Sequence, residues 1–262
     1  MDQLPDLSKP GWFLLASLIV FAVVVGRYFL ISGIFYAAFY IWQREKWAVK
    51  KVNKRAYPAG QFRKEITRST VTSVLFGFSG ALLLWMWQQG YARIYEDPRA
   101  YPLWWLPLSL LIALALQETY YYWLHRWMHI PSIYRIVHEW HHESHIASPW
   151  TAFSFHPLEG LIQAIFLPLI LLFLPMNVWV LVFMLLVMSF SSVINHLDIE
   201  IYPYWFARVP VLRTLIGATH HALHHKQFKY NYGLYFTWWD DWMKTESPHY
   251  GKTFSETSAK QQ

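Results

Sequence analysis

The stretch His138-Glu139-Trp140-His141-His142 decides how this chain is built, because it places three imidazoles within five residues. On a helix, side chains three and four positions apart project from the same face. Two further stretches repeat the pattern: His125-Arg126-Trp127-Met128-His129 and His220-His221-Ala222-Leu223-His224-His225. All 13 histidines of the chain except His249 lie between residues 125 and 225. Each stretch is therefore predicted to aim several imidazoles at one point.

Such crowding indicates metal binding. Charged imidazoles on one helix face would repel one another, and neutral buried ones would each need a hydrogen-bond partner. A metal ion resolves both difficulties, since neutral imidazole is the commonest protein ligand for transition metals. One tetrahedral ion takes about four ligands, so the surplus predicts two metal ions. Spacing predicts these ligands, with either His220 or His221 in addition: His125, His129, His138, His141, His142, His156, His196, His224 and His225. For His156 a plain helix start before Pro157 is an equal alternative.

The other polar residues near these stretches receive lesser roles. Glu139 and Glu143 are predicted to hold imidazole N–H groups from behind, and an exposed salt bridge is an equal alternative for Glu143. We expect His145 to lie behind the ligands or on the surface, and His249 to be solvated. Asn231-Tyr232-Gly233 is predicted to form a turn that uses the freedom of glycine at positive φ, from which Asn231 could reach a water bound to a metal.

The apolar residues predict a membrane protein. They make up 55% of the chain and occur in long runs at 12–42, 70–88, 102–117, 161–174 and 178–195. About twenty apolar residues span a bilayer. The first run is too long for one upright helix, so it is either strongly tilted or broken near Gly26-Arg27. Without any strand-like alternation, we expect an all-α fold: a multi-span membrane helix bundle with a cytoplasmic helical cap that holds a histidine-rich dimetal site.

The net charge of +6 is concentrated in one connection. Residues 43–69 carry nine Lys and Arg against Glu45 and Glu65. Beside two apolar runs, the positive-inside rule explains this stretch better than a nucleic-acid patch does, so it is predicted to be cytoplasmic. Following the chain from there, with 161–195 as a hairpin that crosses out and back, brings every histidine stretch to the cytoplasmic side. The membrane would be a bacterial inner membrane or the endoplasmic reticulum.

Composition also limits the chemistry. The chain has no cysteine, which excludes thiolate metal sites, disulfides and cysteine nucleophiles.

Neither a linker nor an internal repeat divides the chain. We expect residues 1–100 to form N-terminal anchor helices with the basic cytoplasmic loop, and residues 101–262 to form the catalytic domain. Five aromatic residues are predicted to form an interfacial belt or to line a lipid slot: Tyr232, Tyr235, Trp238, Trp239 and Trp242.

Together these stretches resemble the fatty acid hydroxylase/sterol desaturase superfamily of membrane di-iron oxygenases. The family pattern is H-x3-H, H-x2-H-H, a single H and H-x2-H-H. The chain matches it over about residues 118–246, at His125/His129, His138/His141/His142, His196 and His221/His224/His225. The pattern selects His221 over His220, and the matched histidines are the predicted catalytic set. Tyr122-Trp123-Leu124-His125-Arg126, Phe155-His156-Pro157-Leu158-Glu159-Gly160, Asn231-Tyr232-Gly233 and Trp239-Asp240 look most like sterol C-5 desaturases (lathosterol oxidases).

The resemblance implies two iron ions, O2 as co-substrate, and oxidation of a lipid C–H bond by hydroxylation or desaturation. It also implies an external electron donor, a b-type cytochrome or a ferredoxin with its reductase, because the chain carries neither a dinucleotide-binding motif nor a fused haem module. The basic loop 43–69 could dock an acidic donor. Two alternatives are a metalloprotease, since His138-Glu139-Trp140-His141-His142 also matches H-E-x-x-H with Glu139 as general base, and a metal transporter.

Overall fold

Apolar helices dominate the described structure. The computed structural model describes residues 5–259. Its helices are, in chain order, α1 (Pro10–Tyr36), α2 (Arg44–Ala48), α3 (Gln61–Gln88), α4 (Trp105–Met128), α5 (Pro131–Val137), α6 (Glu139–His142), α7 (Pro157–Ala164), α8 (Phe166–Leu171), α9 (Val178–Asn195), α10 (Ala218–Gln227), α11 (Trp238–Met243) and α12 (Tyr250–Ser258).

Little else is regular in this part of the chain. A π-helical segment, Ala37–Trp42, continues α1, and short 3-10 helices form at Pro149–Phe153, Tyr204–Arg208 and Leu212–Thr214. The strands of the described residues are β1 (Ile94–Tyr95) and β2 (Met176–Asn177), which pair in parallel with Ile94 opposite Met176. The all-α prediction is confirmed.

Three helical segments are long and apolar enough to cross a membrane: Pro10–Trp42, Gln61–Gln88 and Val178–Asn195. The first has 33 residues, about 50 Å of helix, which exceeds a bilayer core of about 30 Å. It runs unbroken through Gly26 and Arg27, so the break predicted there as one alternative is absent. The irregularity comes later, in the π-helical segment Ala37–Trp42.

Two of the predicted apolar runs differ from spanning helices. The run 102–117 lies in α4, which is 24 residues long but carries buried Gln117 and Glu118 and is less apolar than the three spanning candidates. The run 161–174 is divided between α7 and α8, whose ends at Ala164 and Phe166 flank Ile165. A segment this short does not reach about 20 residues, so the predicted outward arm of the hairpin is not among the spanning candidates and stays a prediction.

The helices α1 and α3 pack closely against each other. A Cβ atom at Gly77 would lie 2.8 Å from the carbonyl oxygen of Ser17, and one at Gly80 would lie 2.6 Å from Cγ1 of Val20. Glycine therefore lets the two helix backbones approach. A separate apolar core joins α3, α4, α8 and α9, and its buried members include Leu83, Ala113, Leu171 and Met184.

A buried carboxylate at Glu65 on α3 anchors the loop that follows α6. Its oxygens accept hydrogen bonds from the hydroxyls of Ser144 at 2.7 Å and Ser148 at 2.6 Å. Thr151 donates a third hydroxyl bond at 2.9 Å, and the Gln61 amide adds a fourth at 2.7 Å. Buried carboxylates need such donors, and the three hydroxyl bonds fix the loop against α3.

Candidate metal centre

Nine buried or half-buried histidines form two adjacent groups, in each of which one nitrogen per ring lies within 4.8 Å of the others. Because imidazole nitrogens seldom converge unless they share a ligand, each group is a candidate metal site. The first group consists of His125, His129, His138, His142 and His224. The second group consists of His141, His196, His221 and His225.

The spacing predicts that each histidine stretch points at one site. In the structure, the second and third stretches divide between the two groups. The helix is interrupted at His138, whose φ of −118° separates α5 from α6. His138 and His142 join the first group, whereas His141 joins the second. Within α10, His221 and His225 face the second group and His224 faces the first. The second and third stretches therefore contribute to both groups, which keeps the groups adjacent, whereas His125 and His129 both belong to the first group.

In the first group the Nε2 atoms of different rings face one another. Nε2 of His138 lies 3.1 Å from Nε2 of His125 and 3.1 Å from Nε2 of His142. Nε2 of His224 lies 3.1 Å from Nε2 of His142 and 3.1 Å from Nε2 of His129. His125 belongs to the last turn of α4, and His129 follows directly after that helix. The group thus joins the end of α4 to α5, α6 and α10.

The second group has the same construction. Nε2 of His196 lies 3.2 Å from Nε2 of His141 and 2.9 Å from Nε2 of His221. Nε2 of His225 lies 3.1 Å from Nε2 of His221. His196 follows the last residue of α9, so this group is tied to a spanning helix. The two groups touch where the rings of His142 and His225 lie 4.6 Å apart, centroid to centroid.

Hydrogen bonds on the far side of the rings decide which nitrogen faces inward. Nδ1 of His125 lies 2.9 Å from the Tyr232 carbonyl, Nδ1 of His224 lies 2.7 Å from the Tyr230 carbonyl, and Nδ1 of His196 lies 2.7 Å from that of Ser192. A carbonyl only accepts, so each Nδ1 carries the proton and each Nε2 presents a lone pair. Inward lone pairs about 3 Å apart repel unless a cation lies between them. The donor set therefore fits a metal ion in each group.

One carboxylate holds an imidazole from behind, and it is Glu159. Its Oε2 lies 2.9 Å from Nδ1 of His138, and neither side chain has exposed surface. The prediction that Glu139 holds an imidazole is wrong, and for Glu143 the salt-bridge alternative is confirmed. Glu139 is exposed, and Glu143 forms salt bridges with Lys64 and Arg68.

Glu159 is a candidate functional residue that sequence analysis did not assign. Its contact with His138 joins residues 21 positions apart in the sequence, so no local periodicity reveals it. The one available signal is its place in the Phe155–Gly160 motif. Gln163 also donates to Glu159, at 3.1 Å, so the carboxylate is held from the next turn of α7.

The structure brings nine of the ten predicted ligands together, but His156 lies outside both groups. His156 is the N-cap of α7, where its Nδ1 accepts a hydrogen bond of 3.2 Å from the backbone N–H of Leu158. Its ring packs edge-on against Trp140 at 4.6 Å. The residue before the N1 proline thus works as a helix cap, and the assignment of His156 as a ligand is corrected to that role.

The positions of His220 and His221 in α10 show which of the two belongs to a histidine group. His221 lies in the second group, whereas His220 packs against Tyr250 and lies 3.6 Å from Asp240. His145 and His249 are exposed, in agreement with the surface roles expected for them.

The turn at Asn231-Tyr232-Gly233 differs from its prediction. Asn231, not Gly233, adopts the positive φ, at 63°. Its amide donates to the His220 carbonyl and its oxygen accepts from Ser247, so its side chain does not reach either group. Gly233 is required for space, since a Cβ there would lie 2.6 Å from the Phe236 carbonyl oxygen.

Burial favours the neutral form of five imidazoles in these groups: His141, His142, His196, His221 and His225. It lowers the pKa of His196 to about 4, and it lowers the pKa of His141, His142, His221 and His225 well below the usual 6.5, with neighbouring histidines adding to the effect. Desolvation disfavours the charged imidazolium. The rings therefore remain in the ligand-competent form at neutral pH.

A largely apolar cavity of about 240 Å³ leads to the second group. His196 and His221 lie at one end, and the walls come from α1, α3, α4, α7, α8 and α9 through residues such as Val24, Leu83 and Leu185. Tyr235 also lines the cavity, which agrees with the lipid-slot alternative for that residue, whereas Trp242 is 65% exposed as a belt residue would be.

Similarity to known proteins covers this same region. Residues 110–245 match the family model described as fatty acid hydroxylase. A Delta(7)-sterol 5(6)-desaturase of Gibberella zeae is 31% identical over 154 residues, 59% of this chain and 46% of that protein. A lathosterol oxidase of Mus musculus is 33% identical over 158 residues, 58% of this chain and 50% of that protein. A Delta(7)-sterol 5(6)-desaturase of Aspergillus fumigatus is 30% identical over 198 residues, 69% of this chain and 61% of that protein.

The first two of these relatives are about twice as long as the part they share with this chain, so the chain spans about half their length. No solved structure matches the chain. The family model nevertheless covers more than half of the 262 residues, from α4 to the turn after α11, and includes all nine histidines of the two groups. The chain belongs to the fatty acid hydroxylase family.

Proposed function

We propose that the chain is an integral membrane di-iron oxygenase that uses O2 and external electrons to hydroxylate or desaturate a C–H bond of a lipid. The observation that carries the proposal is the pair of adjacent, all-nitrogen histidine groups at the end of an apolar cavity. Family membership supports the same chemistry. Residues 1–100 would serve as the membrane anchor and residues 101–262 as the catalytic domain.

The histidines of each group would hold one iron ion. Imidazole suits several transition metals, but oxidation of an unactivated C–H bond requires a redox-active one. When bound, an iron pair supplies the oxidant that no amino-acid side chain provides. The protein then positions its ligands through the backbone carbonyls and Glu159, which orient the rings before any metal arrives. Buried surroundings exclude water from the reacting carbon.

The substrate is proposed to be a sterol or fatty acyl lipid that enters the cavity from the bilayer. The relatives named above act on sterols by name, and the cavity walls are apolar. His196 and His221 at the cavity end would bring the second group close to the carbon that is oxidised.

Electrons are proposed to arrive from a separate donor, a b-type cytochrome or a ferredoxin with its reductase, at the face that carries the basic loop. Arg63, Lys64 and Arg68 line a surface pocket with Trp140, the residue before His141. An acidic donor would be attracted to these cations. By the positive-inside rule this face is cytoplasmic, in a bacterial inner membrane or the endoplasmic reticulum.

The metalloprotease alternative has less support. Its general base would be Glu139, which is exposed and outside both groups. Its zinc would need His138 and His142 alone, and this leaves the second group without a role. A transporter would carry its ligands along a path near the middle of the bilayer, whereas these groups are compact and lie at helix ends.

The test is lipid analysis of cells with and without expression of the chain, together with the metal content of the purified protein. The proposal predicts new hydroxylated or desaturated lipids that depend on His141 and His224. Unchanged lipids alongside full iron loading would contradict the oxygenase. Full oxidation by His141→Ala would contradict the site.

A further inference from the structure

Arg27 is a cation without a partner inside the membrane-spanning part of α1. It lies in the middle of the segment Pro10–Trp42, 17 residues from the first end and 15 from the second. Its Nε atom is buried and has no hydrogen-bond partner among the described residues. A charge inside a membrane segment is costly, and a buried donor atom without a hydrogen-bond partner adds to that cost. The Arg27 side chain as a whole is half-buried. Charged residues within membrane segments usually pair with an opposite charge or a polar group, which a bound ligand or ion can supply.

Arg27 also lines the apolar cavity that ends at His196 and His221. The cavity lining contains no aspartate or glutamate from the described chain, so no carboxylate of the protein neutralises the guanidinium there. Val20, Val23 and Val24 place the same face of α1 toward the cavity. Whatever neutralises Arg27 must therefore enter with the occupant of the cavity.

The separation between Arg27 and the level of His196 can be estimated along the axis of α1. Leu197, next to His196, packs against Phe35 and Phe39, and Tyr40 donates a hydrogen bond to the Leu197 carbonyl. Arg27 precedes Phe35 by eight residues and Tyr40 by thirteen. At 1.5 Å per residue, Arg27 lies about 12–20 Å from the level of His196 along the helix.

We propose that Arg27 binds the acidic oxygen group, a carboxylate or a phosphate, of the lipid that occupies this cavity. The inference rests on the proposed function and names the chemistry of its substrate. The guanidinium offers a fork of donors that matches either group. With its acidic end held at Arg27, the lipid extends its hydrocarbon toward His196 and His221. Oxidation then occurs far from the acidic group, at a carbon set by the distance between the two.

The experiment measures equilibrium binding to the purified full-length protein in phosphatidylcholine nanodiscs, with empty nanodiscs subtracted. The probes are oleate, oleyl phosphate and oleyl alcohol, which share one chain and differ in the head. The variants are Arg27→Gln, which removes the charge, Arg27→Lys, which keeps it, and Arg99→Gln as the control, since Arg99 is exposed and far from the cavity lining.

We expect the wild type to bind at least one acidic probe more tightly than the alcohol. Arg27→Gln should weaken that binding by about tenfold or more, as the loss of a charged hydrogen bond implies, while the alcohol binds as before. Arg27→Lys should retain a preference for the acidic probe, and Arg99→Gln should match the wild type. The probe that loses affinity identifies carboxylate or phosphate.

Three results would overturn the inference: a wild type that prefers neither acid, an Arg27→Gln variant that binds acids as tightly as the wild type, or an equal loss for acid and alcohol. The metal content and lipid oxidation of the same preparations keep the proposals apart. If the wild type oxidises lipid but binds acidic and neutral probes equally, only the inference about Arg27 is rejected. A clear charge preference without oxidation or metal removes the proposed function alone.

Discussion

Nδ1 of His138 lies 2.9 Å from Oε2 of Glu159, and both side chains are completely buried. This contact joins the break between α5 and α6 to the first turn of α7. It holds the His138 ring so that Nε2 faces His125 and His142. The orientation of a central ring in the first group thus depends on a carboxylate from another helix.

Glu159→Gln should weaken metal binding without unfolding the bundle, because the amide accepts a hydrogen bond less strongly than the carboxylate does. Loss of a carboxylate behind a ligating histidine typically costs about 10–100-fold in metal affinity. The measurement is the metal retained by purified protein during titration with a chelator.

The matched control is Glu139→Gln, because Glu139 directly follows His138 in the sequence but is exposed to solvent. It should retain metal like the wild type. If Glu139→Gln released metal as readily as Glu159→Gln, the assignment of Glu159 as the positioning carboxylate would fail.

His196→Ala should lower the metal content by at least one ion per chain, because His196 contacts both His141 and His221 through Nε2. His145→Ala is the control, since His145 is exposed and belongs to neither group. Elemental analysis of both variants after size-exclusion chromatography checks the prediction. Equal metal content in the two variants would mean that the second group does not bind a metal.

Gly233→Ala should destabilise the protein by about 1–3 kcal/mol, the usual cost of overpacking. The added Cβ would lie 2.6 Å from the Phe236 carbonyl oxygen and 2.7 Å from Cδ1 of Ile216. The same turn presents the Tyr232 carbonyl to His125, so metal retention should fall as well. Thermal unfolding of the detergent-solubilised protein measures the loss.

Gly251→Ala provides the comparison, because Gly251 lies within α12 and has no atom within 4 Å of a built Cβ. Alanine there should raise stability by up to about 1 kcal/mol through helix propensity. A Tm that falls equally in both variants would show that space at Gly233 is not what matters.

Glu246→Gln should stabilise the protein at high pH only. Burial, with Asp241 and Asp240 adding repulsion, raises the pKa of Glu246 from 4.5 to about 7. Because the folded-state pKa is higher than the unfolded one, ionisation costs stability as the pH rises from about 4.5 to about 7. Glutamine removes that cost, so the gain at pH 8 should be on the order of 1 kcal/mol after solvent screening, and absent near pH 4.5.

Glu256→Gln serves as the control, since Glu256 is exposed and paired with Lys252 on the surface of α12. Its unfolding curve should follow the wild type at every pH. A Glu246→Gln variant with the same gain at pH 4.5 and pH 8 would rule out ionisation as the cause.

Histidine spacing predicted most of the candidate site, because i, i+3 and i+4 positions share a helix face whatever the tertiary fold. It did not predict how the rings divide. The break at His138 and the angle between adjacent His141 and His142 send neighbours of one stretch to different groups. Such breaks depend on the packing of α5 and α6 against α7, which local periodicity does not contain.

Other differences have equally physical causes. A histidine before Pro157 was read as a ligand, but the free N–H groups at the start of α7 take its Nδ1 instead. For Glu143 two roles are equal predictions from the sequence, and the salt bridge forms because the cations Lys64 and Arg68 on α3 pair with the carboxylate. In both cases the actual partner, a backbone N–H of α7 or a cation of α3, becomes a neighbour only when the helix or the tertiary fold forms.

The apolar runs predicted that the chain forms a bundle of apolar helices, but they predicted less well which of these helices are long enough to span a membrane. The runs at 12–42, 70–88 and 178–195 became helices long enough to span, whereas 161–174 became α7 and α8 with a boundary near Ile165. Length separates these cases, because the run 161–174 has 14 residues against 19 for 70–88 and 18 for 178–195.

The central claim is that two nitrogen-lined groups each hold one iron ion. Its most direct test is the iron content of the purified full-length protein, measured by elemental analysis against amino-acid analysis of the same sample. We predict two iron ions per chain. One zinc ion per chain, or no metal bound beyond the level found in the His141→Ala/His224→Ala double variant, would contradict the claim.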